Sequence, residues 1–126
     1  ADPSIDIMAD IVAFLSRSLE IAEAAGIRRD AIVLDPGIGF GKTQQQSLDV
    51  LARLAELQTF GLPLLVGASR KRFIASVTPA EPDRRLGGSI AAHLAAARAG
   101  ARIIRAHDVA ETVQALRIAE AIAGKR

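Results

Sequence analysis

At 126 residues the chain is long enough for one domain with one core, and its apolar half (50%) and charged quarter (24%) are those of an ordinary globular protein. It has no cysteine, which excludes disulfides and thiolate metal sites, and no apolar run approaches the roughly 20 residues that a membrane-spanning helix needs. The formal net charge is only +2 and Trp and Tyr are absent, so the basic face with stacking aromatics that a nucleic-acid module uses is missing; neither nucleic acid nor membrane is expected as a partner.

The chain starts at Ala1-Asp2-Pro3, which lacks the basic n-region of a signal peptide. A first residue other than Met points to a processed chain or a piece of a longer one, and a cytoplasmic location is expected. Ser4 to Ala25 reads as a long helix with Ser4 as N-cap, Ile7, Ile11, Leu15, Leu19 and Ala22 at helical spacing, and Gly26 as the residue past its end. Ala31–Leu34 is short, rich in β-branched residues and closed by Pro36 and Gly37, so it reads as a buried strand. Ser47 is placed to cap a second helix carrying Leu48, Leu51, Leu54 and Ala55, which Gly61 and Pro63 stop. Leu62–Val66 forms a second strand, entered through Pro63, and Phe73–Val77 a short helical turn. Asp83 is placed to cap a third helix with Leu86, Ile90, Leu94 and Ala97 on one face; its Gly87 and Gly88 read as close helix packing. Ala101–Ala106 is the third strand. Asp108 and Glu111 form a capping-box variant for a last helix showing Val109, Val113, Leu116, Ala119 and Ile122.

The order is α-β-α-β-α-β-α, and the connections suit three neighbouring parallel strands. Near-continuous apolar strands call for cover on both sheet faces. The first helix, however, has no preceding strand, and three strands leave two unpaired edges. A (β/α)₈ barrel takes about 250 residues. The chain therefore reads as α/β, with three βα units of such a barrel plus the helix before them.

The most informative stretch is Asp35-Pro36-Gly37-Ile38-Gly39-Phe40-Gly41-Lys42-Thr43, where glycines allow close backbone approach to a ligand. Two nucleotide motifs fail here on spacing. The first glycine of a phosphate-binding P-loop falls on Pro36, and the last glycine of a dinucleotide loop falls on Lys42. What points to function is shared position. Asp35, then Ser69, Arg70 and Lys71, then Arg105 and His107 all stand at the C-terminal ends of strands, where barrel enzymes place their chemistry. Arg105 and His107, two apart, leave a continuing strand on the same face, and a guanidinium beside an imidazole suits phosphate or diphosphate. Each residue also has a plain structural reading: Asp35 as a turn former, Lys71 as a solvated charge, His107 as part of a helix entry, Lys42 as a surface residue flanking the loop. His93, on the third helix, reads as structural.

Leu34-Asp35-Pro36-Gly37-Ile38-Gly39-Phe40-Gly41-Lys42, Leu64-Leu65-Val66-Gly67-Ala68-Ser69-Arg70-Lys71 and Ile103-Ile104-Arg105-Ala106-His107-Asp108-Val109, together with Leu86-Gly87-Gly88-Ser89, resemble the dihydropteroate synthase family in sequence and order. The resemblance covers nearly all of residues 1–126 but only about the C-terminal half of a family member. It implies a partial pterin-binding domain, the last three βα units of a TIM (β/α)₈ barrel plus the preceding helix. It also implies a transferase of folate biosynthesis that joins 6-hydroxymethyl-7,8-dihydropterin diphosphate to p-aminobenzoate and releases diphosphate, with sulfonamides as competitors. By this resemblance Asp35 holds the pterin, Lys71 contacts the pterin near the aminobenzoate, Ser69 and Phe40 lie on the aminobenzoate side, and Arg105 and His107 anchor the diphosphate. Gly39 and Gly67 belong to the substrate-binding set, and Lys71, Arg105 and His107 are the catalytic candidates. Ala106 replaces the valine often found there, and Ile38 stands where some relatives carry Phe. The family also implies Mg²⁺, whose asparagine ligand lies in barrel strands this chain does not contain, and a homodimer. Without those strands the chain alone is expected to be inactive, to leave an inner sheet face uncovered and to self-associate.

Two other classes stay open on the residues. One is a non-catalytic pterin- or phosphate-binding or assembly fragment. The other is a Schiff-base, aldolase-like half-barrel with Lys71 as nucleophile.

Overall fold

The computed structural model describes residues 1–124. Helix α1 (Ile7–Ala24) is followed by a 3₁₀ turn (Arg29–Ala31), helix α2 (Gln44–Ala52), a longer 3₁₀ stretch (Leu54–Phe60), strand β1 (Leu65–Val66), helix α3 (Arg72–Val77), a 3₁₀ turn (Pro82–Arg84), helix α4 (Leu86–Arg98), strand β2 (Ile103–Ile104) and helix α5 (Val109–Ile122). Strands β1 and β2 run parallel, with Leu65 opposite Ile103 and Val66 opposite Ile104.

The fold is α/β with a parallel sheet, but regular pairing covers two strands among the described residues, not three. The expected strand at 31–34 contributes one bridging residue, Leu34, parallel to Leu64. Residues 29–31 are spent in the 3₁₀ turn, and the opposing Pro63 has no N–H to give, so it only accepts from the Leu34 N–H (2.9 Å). The order along the sheet is Leu34, β1, β2. Beyond the assigned strands the Arg105 N–H still donates to the Val66 carbonyl (3.0 Å), which fixes both strand ends at one level.

Strand alternation divides the apolar residues. Leu34, Leu64 and Val66 are buried beneath the helices, whereas Val33 and Ile103 are 44% and 42% exposed on the other face. The expected cover on both faces is thus present on one, because the core continues only on the helical side.

Several helix starts differ from expectation, each for a local reason. Ser4 turns back to the Asp2 carboxylate with its amide and hydroxyl (2.9 and 2.7 Å), leaving Asp6 to cap α1 by accepting from Met8 and Ala9. Thr43, not Ser47, caps α2, in a reciprocal box with Gln46. Asp83 lies in the 3₁₀ turn, and α4 starts one turn later without a side-chain cap. Asp108 precedes α5 but makes no capping hydrogen bond.

The buried faces of the last two helices also differ. Helix α4 buries Ser89, Ala92, His93 and Ala96, and Leu86 is exposed. Small residues let this helix lie close to its neighbours: a Cβ on Gly88 would overlap Ile74, whereas one on Gly87 would meet nothing. Helix α5 buries Thr112, and Val109, Val113 and Ile122 of the expected stripe are exposed. His93 is structural as expected, its Nδ1 sharing a hydrogen bond with Thr112 Oγ1 (3.0 Å) between α4 and α5.

Candidate functional site

The strand ends and the Gly-rich loop enclose a cleft of about 590 Å³ lined by Asp35, Phe40, Gly67, Ser69, Lys71, Arg105, Ala106 and His107. Seven of the eight expected site residues line it. Gly39 lines the adjoining cleft instead, and a Cβ there would sit 3.0 Å from Lys71 Cδ. With φ of +84° and that contact, position 39 favours glycine.

Each side chain is placed by backbone around it. Asp35 leaves the chain just after Leu34; its Oδ1 accepts from the Gly37 N–H (2.8 Å), so it also forms the turn. Its Oδ2 faces Arg105 Nη1 at 3.4 Å. The Arg105 guanidinium lies across Gly67, where any Cβ would overlap it. Gly67 therefore makes room for the cation that pairs with Asp35. Ser69 Oγ accepts from the His107 N–H (3.1 Å) and shares a hydrogen bond with His107 Nδ1 (2.8 Å), tying the two strand ends together. Lys71 Nζ stands 4.0 Å from the Phe40 ring centroid, a cation–π contact at the cleft mouth. Desolvation, then the nearby Arg105 charge, hold the Lys71 ammonium below its ordinary pKa, and Asp35 opposes them.

The loop itself is braced from within. Lys42 is not a free surface charge: its Nζ donates to the Gly37 and Phe40 carbonyls (2.8 and 3.3 Å), and desolvation lowers its pKa. Ser47, displaced from its expected capping role, is buried and accepts from the Gly39 N–H (3.2 Å). Arg70 stands between Ser69 and Lys71 in the loop after β1. It has φ of +58°, the only non-glycine positive φ among the described residues. Its guanidinium reaches the Asp108 carboxylate (3.2 Å), its N–H donates to Ser89 Oγ (2.9 Å) and its carbonyl accepts from Arg85 Nη1 (2.8 Å). A run of three basic residues carries no cue for such a turn. The serine after Leu86-Gly87-Gly88 was the available signal.

The arrangement offers one carboxylate for paired N–H donors and, in the same cleft, an Arg, a Lys and a His for an anion. The neighbouring Arg105 charge shifts Lys71 in the direction a Schiff-base lysine needs, but Lys71 stands against an exposed Phe40 and not in an apolar pocket. Among the described residues no three of His, Asp and Glu are grouped to hold a metal ion. Among the described residues no helix is long and apolar enough to cross a membrane.

Residues 4–107 match the model of the pterin binding enzyme family. The chain is 47% identical over 116 residues to dihydropteroate synthase of Escherichia coli (strain K12), covering 92% of this chain and 41% of that protein. It is 38% identical over 118 residues to the Haemophilus influenzae dihydropteroate synthase, covering 94% of this chain and 43% of the relative. The Yersinia pestis enzyme in complex with a sulfonamide drug superimposes with a TM-score of 0.92 at 45% identity, over 98% of this chain and 45% of that one. The Xanthomonas albilineans enzyme with 4-aminobenzoic acid gives 0.93 at 43% identity, over 98% and 47%. The chain thus spans about two fifths of the length of the curated relatives it matches.

Proposed function

The chain belongs to the pterin binding enzyme family, specifically to dihydropteroate synthase, and from that premise we propose that residues 1–126 are the C-terminal half of a (β/α)₈ barrel that condenses 6-hydroxymethyl-7,8-dihydropterin diphosphate with p-aminobenzoate. The observation that carries the reading is one cleft that brings the Asp35 carboxylate together with Lys71, Arg105 and His107. A pterin presents adjacent N–H donors, which a carboxylate accepts together. Its diphosphate requires cations a short distance away.

In the reaction the aminobenzoate amine attacks the pterin methylene carbon, the C–O bond to diphosphate breaks, and the amine loses a proton. Charge develops on the departing diphosphate. Arg105 and His107 stabilise it there, already held in place by Gly67 and Ser69 before substrate arrives. Lys71, its position set by Phe40 and Gly39, adds its ammonium beside the pterin. Ser69 and Phe40 line the aminobenzoate side.

The open sheet face, with Val33 and Ile103 exposed, favours a second reading for the chain on its own: binding without turnover. The same reading includes a homodimer, supported by the exposed Val109, Val113, Ile118 and Ile122 of α5, and a cytoplasmic setting. A monomeric mass at every concentration in sedimentation would refute the dimer.

The test is calorimetric titration of the chain with dihydropterin diphosphate, repeated with Asp35→Asn. Binding that the substitution weakens supports the pterin site. Equal binding by both removes Asp35 from it, and no binding by the unsubstituted chain refutes a preformed site in this half. Turnover by the chain alone would refute the non-catalytic reading.

A further inference from the structure

We propose that Ser89, Arg85 and Asp108 are positioning residues that hold Arg70 in its left-handed conformation and thereby aim Ser69 and Lys71 into the cleft; the catalytic consequence rests on the function proposed above. Ala68–Lys71 is a four-residue turn closed by the Lys71 N–H on the Ala68 carbonyl (3.4 Å). Arg70 occupies its third position with φ of +58°. Glycine fills that position without strain, and a residue with a Cβ does not. An arginine persists there only where its surroundings hold it.

They do so from three directions. The N–H of Arg70 donates to Ser89 Oγ at 2.9 Å, and Ser89 is 1% exposed in the first turn of α4. The carbonyl of Arg70 accepts from Arg85 Nη1 at 2.8 Å, while Arg85 Nε is itself fixed on the Ala80 carbonyl (2.8 Å). The guanidinium reaches both Asp108 oxygens at 3.2 and 3.4 Å. Asp108 is therefore engaged with Arg70 instead of capping α5, although it stands at the cap position.

The neighbours of Arg70 explain what this brace accomplishes. Ser69 bonds His107, and His107 is followed directly by Asp108. The bridge from Arg70 to Asp108 and the bond from Ser69 to His107 are thus parallel ties between the same two strand-end loops. Lys71, on the other side of Arg70, takes its place over Phe40. Relaxing Arg70 out of the left-handed region opens the turn and moves Lys71 relative to His107. None of Ser89, Arg85 and Asp108 lines the main cleft, so their effect passes through Arg70.

The experiment compares Arg70→Gly, Asp108→Ala and their double substitution, with Ser89→Ala and Ser89→Thr as a rescue pair. Melting temperature and affinity for dihydropterin diphosphate are measured for each. Arg70→Gly relieves strain and keeps the melting temperature, yet weakens binding about tenfold, the size of one lost charge-assisted hydrogen bond. Asp108→Ala weakens it as much, and the double no further, because both remove one tie. Ser89→Ala weakens binding and Ser89→Thr restores it. Variants that melt and bind like the parent, or a fully additive double, overturn the proposal. If the parent chain does not bind the dihydropterin diphosphate, the functional reading falls separately, and amide hydrogen exchange at Arg70 decides the brace: faster exchange in both Ser89→Ala and Asp108→Ala supports it, unchanged protection overturns it.

Discussion

The two faces of the short sheet are made of the same residue types in different surroundings. On one face Leu34, Leu64 and Val66 join a core that runs through α1, α2 and the 3₁₀ stretch to Leu57. On the other, Val33 and Ile103 lie open, and the same face ends in Asp35, Gly67 and Arg105, the wall of the cleft. An aliphatic side chain makes a position fit for burial; whether it is buried depends on a second layer. Here that layer exists on one side, so the core lies on the helical face and the cleft on the open one.

The sharpest way to break this division is to truncate one residue on each face. Leu64→Ala is expected to cost about 2–5 kcal/mol, as buried leucine truncations do, and Ile103→Ala less than about 1 kcal/mol, both read from denaturant melts. An equal cost at Ile103 would show that the open face is covered in solution.

Next in size is Gly67→Ala. The added methyl displaces the Arg105 guanidinium without disturbing the helical face. Affinity for inorganic diphosphate is expected to fall about ten- to hundredfold, the worth of a lost charge-assisted hydrogen bond, with little change in melting. Calorimetry on the two proteins reads both. A smaller effect is expected at the loop leading into α2: Thr43→Ala removes half of the capping box and should cost about 1 kcal/mol, measured by denaturant unfolding.

The smallest effect is a pH slope. His93 is buried on the helical side, its Nε2 without a partner among the described residues. Desolvation lowers its pKa, and Asp108 partly opposes this. The folded chain then binds fewer protons than the unfolded one as pH falls through the ordinary imidazole value of about 6.5. Stability is complete above that value and declines below it. His93→Gln should flatten the decline in melting temperature between pH 7 and pH 5; an unchanged slope would assign it to other groups.

Much of this was readable in advance. The α1 stripe of Ile7, Ile11, Leu15 and Leu19 is buried as its spacing requires, since a helix with one apolar face has one way to pack. Gly26 and Gly61 fall at positive φ where helical segments end, because glycine alone takes that conformation without strain. The strand-end motifs converge on one cleft because parallel strands in register put their last residues at one level. The α4 face was not readable: nearly every position of that helix is apolar or small, so periodicity does not choose a side, whereas the close approach of Gly88 to Ile74 does.

The capping residues and the brace around Arg70 show the same limit more finely. Asp2, Ser4 and Asp6 all suit a cap, and so do Thr43 and Ser47; which one serves depends on where the others find partners, Ser4 on Asp2 and Ser47 on the Gly39 N–H. Local chemistry along the chain therefore decided which residues are fit to turn, cap, bury or bind an anion. Contacts between residues far apart decided their use: Arg70 with Ser89 and Asp108, Arg105 across Gly67 to Asp35, and one sheet face covered while the other stays open. Propensity is a property of neighbours in sequence, whereas desolvation and hydrogen-bond partnership belong to neighbours in space.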